Sequence, residues 1–293
     1  MNSRPSLSEA GPRPALAPMT RIEPAPAKIN LALHVTGRRA DGYHLLDSLV
    51  VFTELGDRVT VSPGPPSLTV TGPFADAVPA GEDNLCLRAL RHVGTEAVVV
   101  LDKHLPPASG IGGGTADAAA VLRALERVPE RPEALGADLP ACLLSRPLRM
   151  QGVGERITPV DLPSLHLVLV NPRVETPTPA VFDALERRDG PPLPDLPALA
   201  DAGTLLGWLG GTRNDLQPPA LTLRPVIADC LAALTAQGAR LARMSGSGAT
   251  CFGIFADAPS AEAAARAILA ANPGWWARAT RTITGLPSAT PQG

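Results

Sequence analysis

Aromatic side chains are scarce in this 293-residue chain: five Phe, three Trp and a single tyrosine, Tyr43. Any flat ligand must therefore find its stacking surface at one of very few positions. Lysine is scarcer still, with only Lys28 and Lys103 among 26 basic residues. Arginine cannot replace a compact ammonium or a tunable amine, so both lysines are candidate functional groups, with chance placement the plain alternative. The four cysteines, Cys86, Cys142, Cys230 and Cys251, are scattered through apolar segments with no CxxC spacing. That excludes a zinc cage and a disulfide frame and points to reduced, buried thiols. No apolar run approaches the ~20 residues of a membrane span, and the first 24 residues lack the hydrophobic centre of a signal peptide. Charge of either sign is also not in excess. A net charge of −2 gives no global field to attract nucleic acid or anionic membrane. The expectation is a cytoplasmic protein, monomer or homodimer, with small-molecule ligands and no nucleic-acid or membrane partner.

What the chain does have is glycine in one telling place. Residues 105–119 read LPPASGIGGGTADAA, with Gly110, Gly112, Gly113 and Gly114 running into an alanine-rich helix expected from Thr115 to about Arg127. Glycines let successive N–H groups turn toward one anion, and the helix that follows adds its free N–H groups and positive dipole end, with Thr115 as its expected cap. The ligand this implies is a polyphosphate. A tight turn in an Ala/Gly-rich protein is the bland alternative. Two other nucleotide loops fit less well: no lysine follows the glycines as in GxxxxGK[ST], and Pro106, Pro107, Ala108 and Ser109 separate them from the strand that a dinucleotide GxGxxG requires.

With 45% hydrophobic residues the chain can bury a large core, and its length suggests two domains. Strands are expected at 28–35, 48–61, 68–71, 97–102, 165–170, 249–256 and 277–284. Helices are expected at 84–93, 115–127, 178–188, 198–209, 224–237 and 260–271, with a proline-rich loop over 190–201. The resulting division is a disordered tail over 1–24, with Met19 a possible true start, a first domain at 25–162, a second at 163–286, and a tail at 287–293.

Three motifs in order, PAKINLAL (Pro26–Leu33), the Pro106–Ala120 glycine loop and RMSGSGATCFGIF (Arg243–Phe255), resemble the GHMP kinases. GRRADGYHLLDSL (Gly37–Leu49), EDNL (Glu82–Leu85), GADLP (Gly136–Pro140) and ETPTPAVF (Glu175–Phe182) resemble the branch whose acceptor is a diphosphocytidyl sugar alcohol. The resemblance implies an α+β fold in which an N-terminal domain like ribosomal protein S5 domain 2 meets a ferredoxin-like C-terminal domain around an interdomain cleft. It implies MgATP-dependent phosphorylation of the 2-hydroxyl of 4-diphosphocytidyl-2-C-methyl-D-erythritol, a step of non-mevalonate isoprenoid synthesis. Asp138 and Lys28 match the catalytic pair. Asn84, Lys103, Pro106, Ser109, the four glycines and Thr115 fall on the nucleotide side. Asn30, Tyr43, His44, Thr176, Pro177 and Phe182 fall on the acceptor side, with rings from both domains placed to sandwich the cytosine and His44 to read its edge. Thr115 offers a hydroxyl to Mg²⁺ or phosphate, and Gly246 and Gly248 form a second nest that braces the loop. The chain departs from the family in a shortened 126–135 segment and in GADLPACL beside Asp138.

Plainer alternatives stand beside these roles. Asp138 can be the N-cap of the segment PACLL, and Asn84 the N-cap of its helix. Lys28 can be a solvated strand edge and Lys103 a strand-end surface residue. Phe182 can be a core side chain, Tyr43 a turn residue packed on its own hairpin, and Asp117 a surface acid favoured by the helix dipole. For the whole chain, a GHMP kinase for homoserine or mevalonate and a non-catalytic ATP-sensing homologue are the competing functions. Retention of both Lys28 and Asp138 speaks against the sensor.

Overall fold

The structure, a computed structural model, describes residues 19–198 and 201–286. Of the tails expected at 1–24 and 287–293, residues 1–18 and 287–293 lie outside those described. Residues 21–24, assigned to the tail from sequence, are instead paired: strand β1 (Arg21–Arg38) runs antiparallel to β2 (His44–Ser62), with Arg21 opposite Val61. Bulges at Pro26/Lys28, Asn30/Ala32 and Val35/Gly37 interrupt the register. Every residue of β1 from Ala25 to Val35 is buried, because the strand is covered on both faces.

After β3 (Ser67–Thr71) and helix α1 (Leu85–His92), β4 (Val98–Asp102) lies between β3 and β2 and leads into α2 (Gly113–Ala124). The small side chains Ala116, Ala118, Ala119 and Ala120 are all buried, so this helix packs closely on the sheet. A short α3 (Leu139–Leu144) and the hairpin β5 (Leu148–Gly152) and β6 (Arg156–Pro159) complete the first half, β5 pairing with β2. The hairpin is unexpected from sequence because LRMQG alternates buried apolar with half-buried polar residues over only five positions, too short a run to stand out.

The second half is built from β7 (His166–Asn171), α4 (Thr178–Asp183), α5 (Ala202–Gly210), α6 (Gln217–Leu223), α7 (Val226–Ala236), β8 (Leu241–Met244), β9 (Cys251–Phe255), α8 (Ala258–Ala271) and β10 (Trp276–Ile283). Helix α6 is not among the expected helices; it contains Pro218 and Pro219, but proline is tolerated in the first turn, where no N–H partner is lost. The helix expected to reach Arg188 stops at Asp183. The strands run β8-β9-β7-β10, and β10 then pairs with β2 at Thr282–Thr53 and Ile283–Phe52, so one sheet crosses the 162/163 boundary. Beside this junction a shared core joins Ile29, Leu31 and Val51 of the first half to Leu167, Leu169 and Phe252 of the second. The architecture is α+β, as expected. Among the described residues no single helix is long and apolar enough to cross a membrane.

Candidate active site

Only two of the four loop glycines need their special freedom. Gly110 (φ +75°) and Gly112 (φ +67°) are left-handed, whereas Gly113 and Gly114 are already the first turn of α2. The helix therefore starts two residues earlier than expected. Thr115 is its third residue rather than its cap, and Gly112 holds the capping position. The N–H groups of that first turn have no intrahelical acceptor and face the cavity with the dipole's positive end. Gly110 also permits a close approach, since a Cβ there would lie 2.6 Å from the Gly248 carbonyl oxygen and 2.7 Å from that of Ser245. The loop is pinned further by Thr250 N–H to the Ser109 carbonyl (3.1 Å), Ser245 Oγ to the Gly110 carbonyl (3.3 Å) and Lys28 N–H to the Ile111 carbonyl (3.0 Å).

Beneath the loop opens a cavity of about 590 Å³ lined from both halves of the chain. Lys28, Asn30, Ser109, Gly110, Gly112, Gly113, Gly114, Thr115, Asp138, Thr176, Pro177 and Phe182 all line it. The buried Lys28 ammonium pairs with the Asp138 carboxylate at 2.8 Å, and the Asp138 side chain keeps 29% of its surface exposed. Asp138 stands just before α3 but makes no capping bond there, so the carboxylate is committed to Lys28 and the cavity. Asn30 donates from Nδ2 to Ser48 Oγ (2.8 Å), and Ser48 in turn donates to the Ala32 carbonyl (2.7 Å). That chain fixes the amide, and Asn30 Oδ1 is buried with no partner among the described residues, as is Thr176 Oγ1. The Asn30 oxygen can only accept, whereas the Thr176 hydroxyl can donate or accept, and a buried polar atom left unpaired is costly.

Several residues expected at the site are not there. Lys103 does not line the cavity: it is buried, with Nζ 2.6 Å from both Asp57 Oδ2 and Asp117 Oδ2. Asp117, expected on the surface, is correspondingly buried. Asn84 caps α1, accepting from Cys86 N–H and donating to the Pro79 carbonyl, and does not line the cavity. Pro106 is buried, its carbonyl accepting from Ser109 Oγ. Tyr43 is 67% exposed and does not line the cavity. His44 and Phe182 lie on each other, ring centroids 4.7 Å apart and 19° from parallel, so no gap for a base separates them. Burial, with Arg38 and Arg188 nearby, pushes the His44 imidazole down.

Sequence reasoning missed Thr178 and Ser247, whose hydroxyls meet at 2.8 Å at the cavity wall, and Asp57. For Asp57 a signal existed: alternation along β2 places it on the same inward face as Val59 and Val61, and a carboxylate there needs a partner.

The triad predicts a pH effect on stability. Burial pushes the Asp117 carboxyl up to about 7, with Lys103 opposing and the like charge of Asp57 adding to it. The folded protein thus holds a proton that the unfolded chain has lost, so this contribution is full at acidic pH and disappears as pH rises through about 7. Relative to Asp117→Asn, the wild type should lose up to ~1.4 kcal/mol per pH unit between pH 5 and 7. Urea midpoints at pH 5, 6, 7 and 8 measure this, and a pH-independent difference would contradict it.

Fold and cavity together define a small-molecule kinase of the GHMP class. GHMP kinases N terminal domain matches residues 84–144, and GHMP kinases C terminal matches 182–274. The chain is 63% identical to the 4-diphosphocytidyl-2-C-methyl-D-erythritol kinase of Paracoccus denitrificans, over 90% of this chain and 97% of that one. It is 56% identical to that of Cereibacter sphaeroides (strain ATCC 17029), over 88% and 98%. A crystal structure of 4-(cytidine 5'-diphospho)-2C-methyl-D-erythritol kinase superposes with TM-score 0.74 at 35% identity, covering 91% of this chain and all of the other. A homoserine kinase from Cytophaga hutchinsonii (TM-score 0.60, 18% identity) shares the fold. The chain belongs to the 4-diphosphocytidyl-2-C-methyl-D-erythritol kinase family.

Proposed function

We propose that the chain transfers the terminal phosphoryl group of ATP to the 2-hydroxyl of 4-diphosphocytidyl-2-C-methyl-D-erythritol. The observation that carries this reading is the Lys28–Asp138 pair, placed between an anion-binding loop and the Thr176–Phe182 wall of one cavity. A Cβ on Gly112 would lie 3.3 Å from Lys28 Cβ and 3.8 Å from Asp138 Oδ2, so the pair abuts the phosphate loop directly. Asp138 Oδ takes the proton of the attacking hydroxyl, and the Lys28 ammonium stabilises charge as it develops. Because phosphoryl transfer is loose, fixed positioning by the loop and Lys28 outweighs proton removal. Asn30 Oδ1 accepts from a hydroxyl or amino group of the acceptor, and the Thr176 hydroxyl exchanges a hydrogen bond with it.

Among the described residues no cluster of three His, Cys, Asp or Glu could hold a metal. The site fits Mg²⁺ delivered on the nucleotide, with Thr115 the available hydroxyl; Mg²⁺ prefers phosphates and water to an all-protein cage and neutralises phosphate charge. The cytoplasm suits the four buried, unbridged cysteines.

ADP release by purified protein with MgATP and a panel of alcohols tests the reading. Turnover on homoserine or mevalonate but not on the cytidyl compound would overturn it. The aromatic wall is tested separately. With His44 already stacked on Phe182, the base has one ring to extend rather than two to enter. Phe182→Ala should raise KM for the cytidyl substrate roughly 5- to 150-fold, the worth of one stacking contact, and leave KM for ATP nearly unchanged. A parallel rise in both would place Phe182 in the core instead.

A further inference from the structure

The Lys103–Asp57–Asp117 cluster lies outside the cavity, yet each of its bonds ends on one boundary of the phosphate loop. At the loop's entrance, Asp57 Oδ1 accepts the N–H groups of His104 (2.6 Å) and Leu105 (2.8 Å). At its exit, Asp117 sits in the first turns of α2 and accepts from Lys103 Nζ at 2.6 Å. Lys103 bridges the two by donating to Asp57 Oδ2, also at 2.6 Å. The ammonium lies directly behind the loop, for a Cβ on Gly113 would be 3.2 Å from Nζ. Burial alone would push this amine down, but the two carboxylates outweigh it and hold it protonated. All three side chains are at least nineteen-twentieths buried, so the bonds are shielded from water and from salt.

We propose that Lys103, with Asp57 and Asp117, is a positioning device for the nucleotide loop: it sets the start of α2 against the end of β4, so that the free N–H groups of Gly113, Gly114 and Thr115 converge before any phosphate arrives. The three residues touch neither nucleotide nor acceptor. They act on affinity by keeping the binding-competent loop populated, since an apparent Kd rises in proportion as that population falls. The second half of the chain holds the middle of the loop through Ser245 and Thr250, and the cluster holds its two ends. The proposal rests on the reading of this cavity as an ATP site.

The test separates the tether from the fold and from the reaction. Asp117→Ala removes the bond to α2 but leaves a neutral Lys103–Asp57 pair, so no buried charge is stranded. Asp117→Asn keeps an acceptor for Lys103. Titration calorimetry with MgADP should show Kd raised about tenfold in Asp117→Ala, as for a loop competent a tenth of the time, and restored to within about twofold of wild type in Asp117→Asn. Under turnover, KM for ATP should follow Kd while kcat at saturating ATP and KM for the acceptor stay unchanged, because Lys28 and Asp138 are held by other bonds. Wild-type MgADP affinity in a folded Asp117→Ala protein would overturn the proposal, as would an Asp117→Asn protein that binds as weakly as Asp117→Ala. The calorimetric pattern without turnover on any alcohol would instead overturn the functional reading and leave the device standing.

Discussion

Asp138→Asn should lower kcat about 10²- to 10⁴-fold and leave MgADP affinity near wild type, and Lys28→Met should do the same. The range is the usual worth of a positioned acid–base group. The spared affinity follows from the proposed function: a nucleotide held by the main-chain N–H groups of the loop draws on neither side chain. The pair is close enough to be strongly coupled, at 2.8 Å with Lys28 buried. The double variant should therefore lose little more than either single one, because removing one member already disables the unit. Single-turnover kinetics at saturating ATP, beside calorimetry, measure both halves of the expectation. A folded Asp138→Asn enzyme with near-normal kcat would remove Asp138 from the chemistry.

The largest expected effect on stability lies behind the loop. Lys103→Met should cost about 3–5 kcal/mol, because it leaves Asp57 and Asp117 facing each other in a site where each has almost no contact with water. That is a large share of the ~5–15 kcal/mol by which domains are stable, so reduced soluble yield is expected as well. An exposed pair gives the contrast. Arg281 and Glu54 are about half exposed, and Arg281→Ala should cost ~0–1 kcal/mol, since solvent screens the charges and side-chain entropy offsets the attraction. Urea unfolding of the two variants in parallel decides the matter. Equal losses would mean that the buried cluster is weaker than its geometry implies. Adding Asp57→Asn to Lys103→Met should recover part of the loss by removing one stranded charge.

Where the sequence was legible, local physics decided the outcome. The glycine loop and the helix after it are a contiguous signal, and the alternating and helical periods placed the central segments of most strands and helices. What was misplaced depended on partners far along the chain. Lys103 and Asp117 are fourteen residues apart and both read as surface or ligand groups until β2 brings Asp57 against them. Asn84 and Asp138 each stood at a helix start, and nothing local distinguishes a side chain that caps from one that faces a cavity. Asn84 turns its amide back on Cys86, whereas Asp138 is drawn off by Lys28 on β1.

By itself, then, the sequence determined a glycine loop running into a helix, an α+β chain in two halves, and the residue types that phosphoryl transfer requires. The tertiary structure alone decided which of two lysines faces the cavity and which lies beneath it, that His44 and Phe182 meet ring to ring, and that β10 returns to join β2. The physical reason is that backbone conformation answers to neighbours a few residues away. The role of a charged or aromatic side chain is set by whatever the fold places within about 4 Å of it, where burial removes water and makes a partner obligatory.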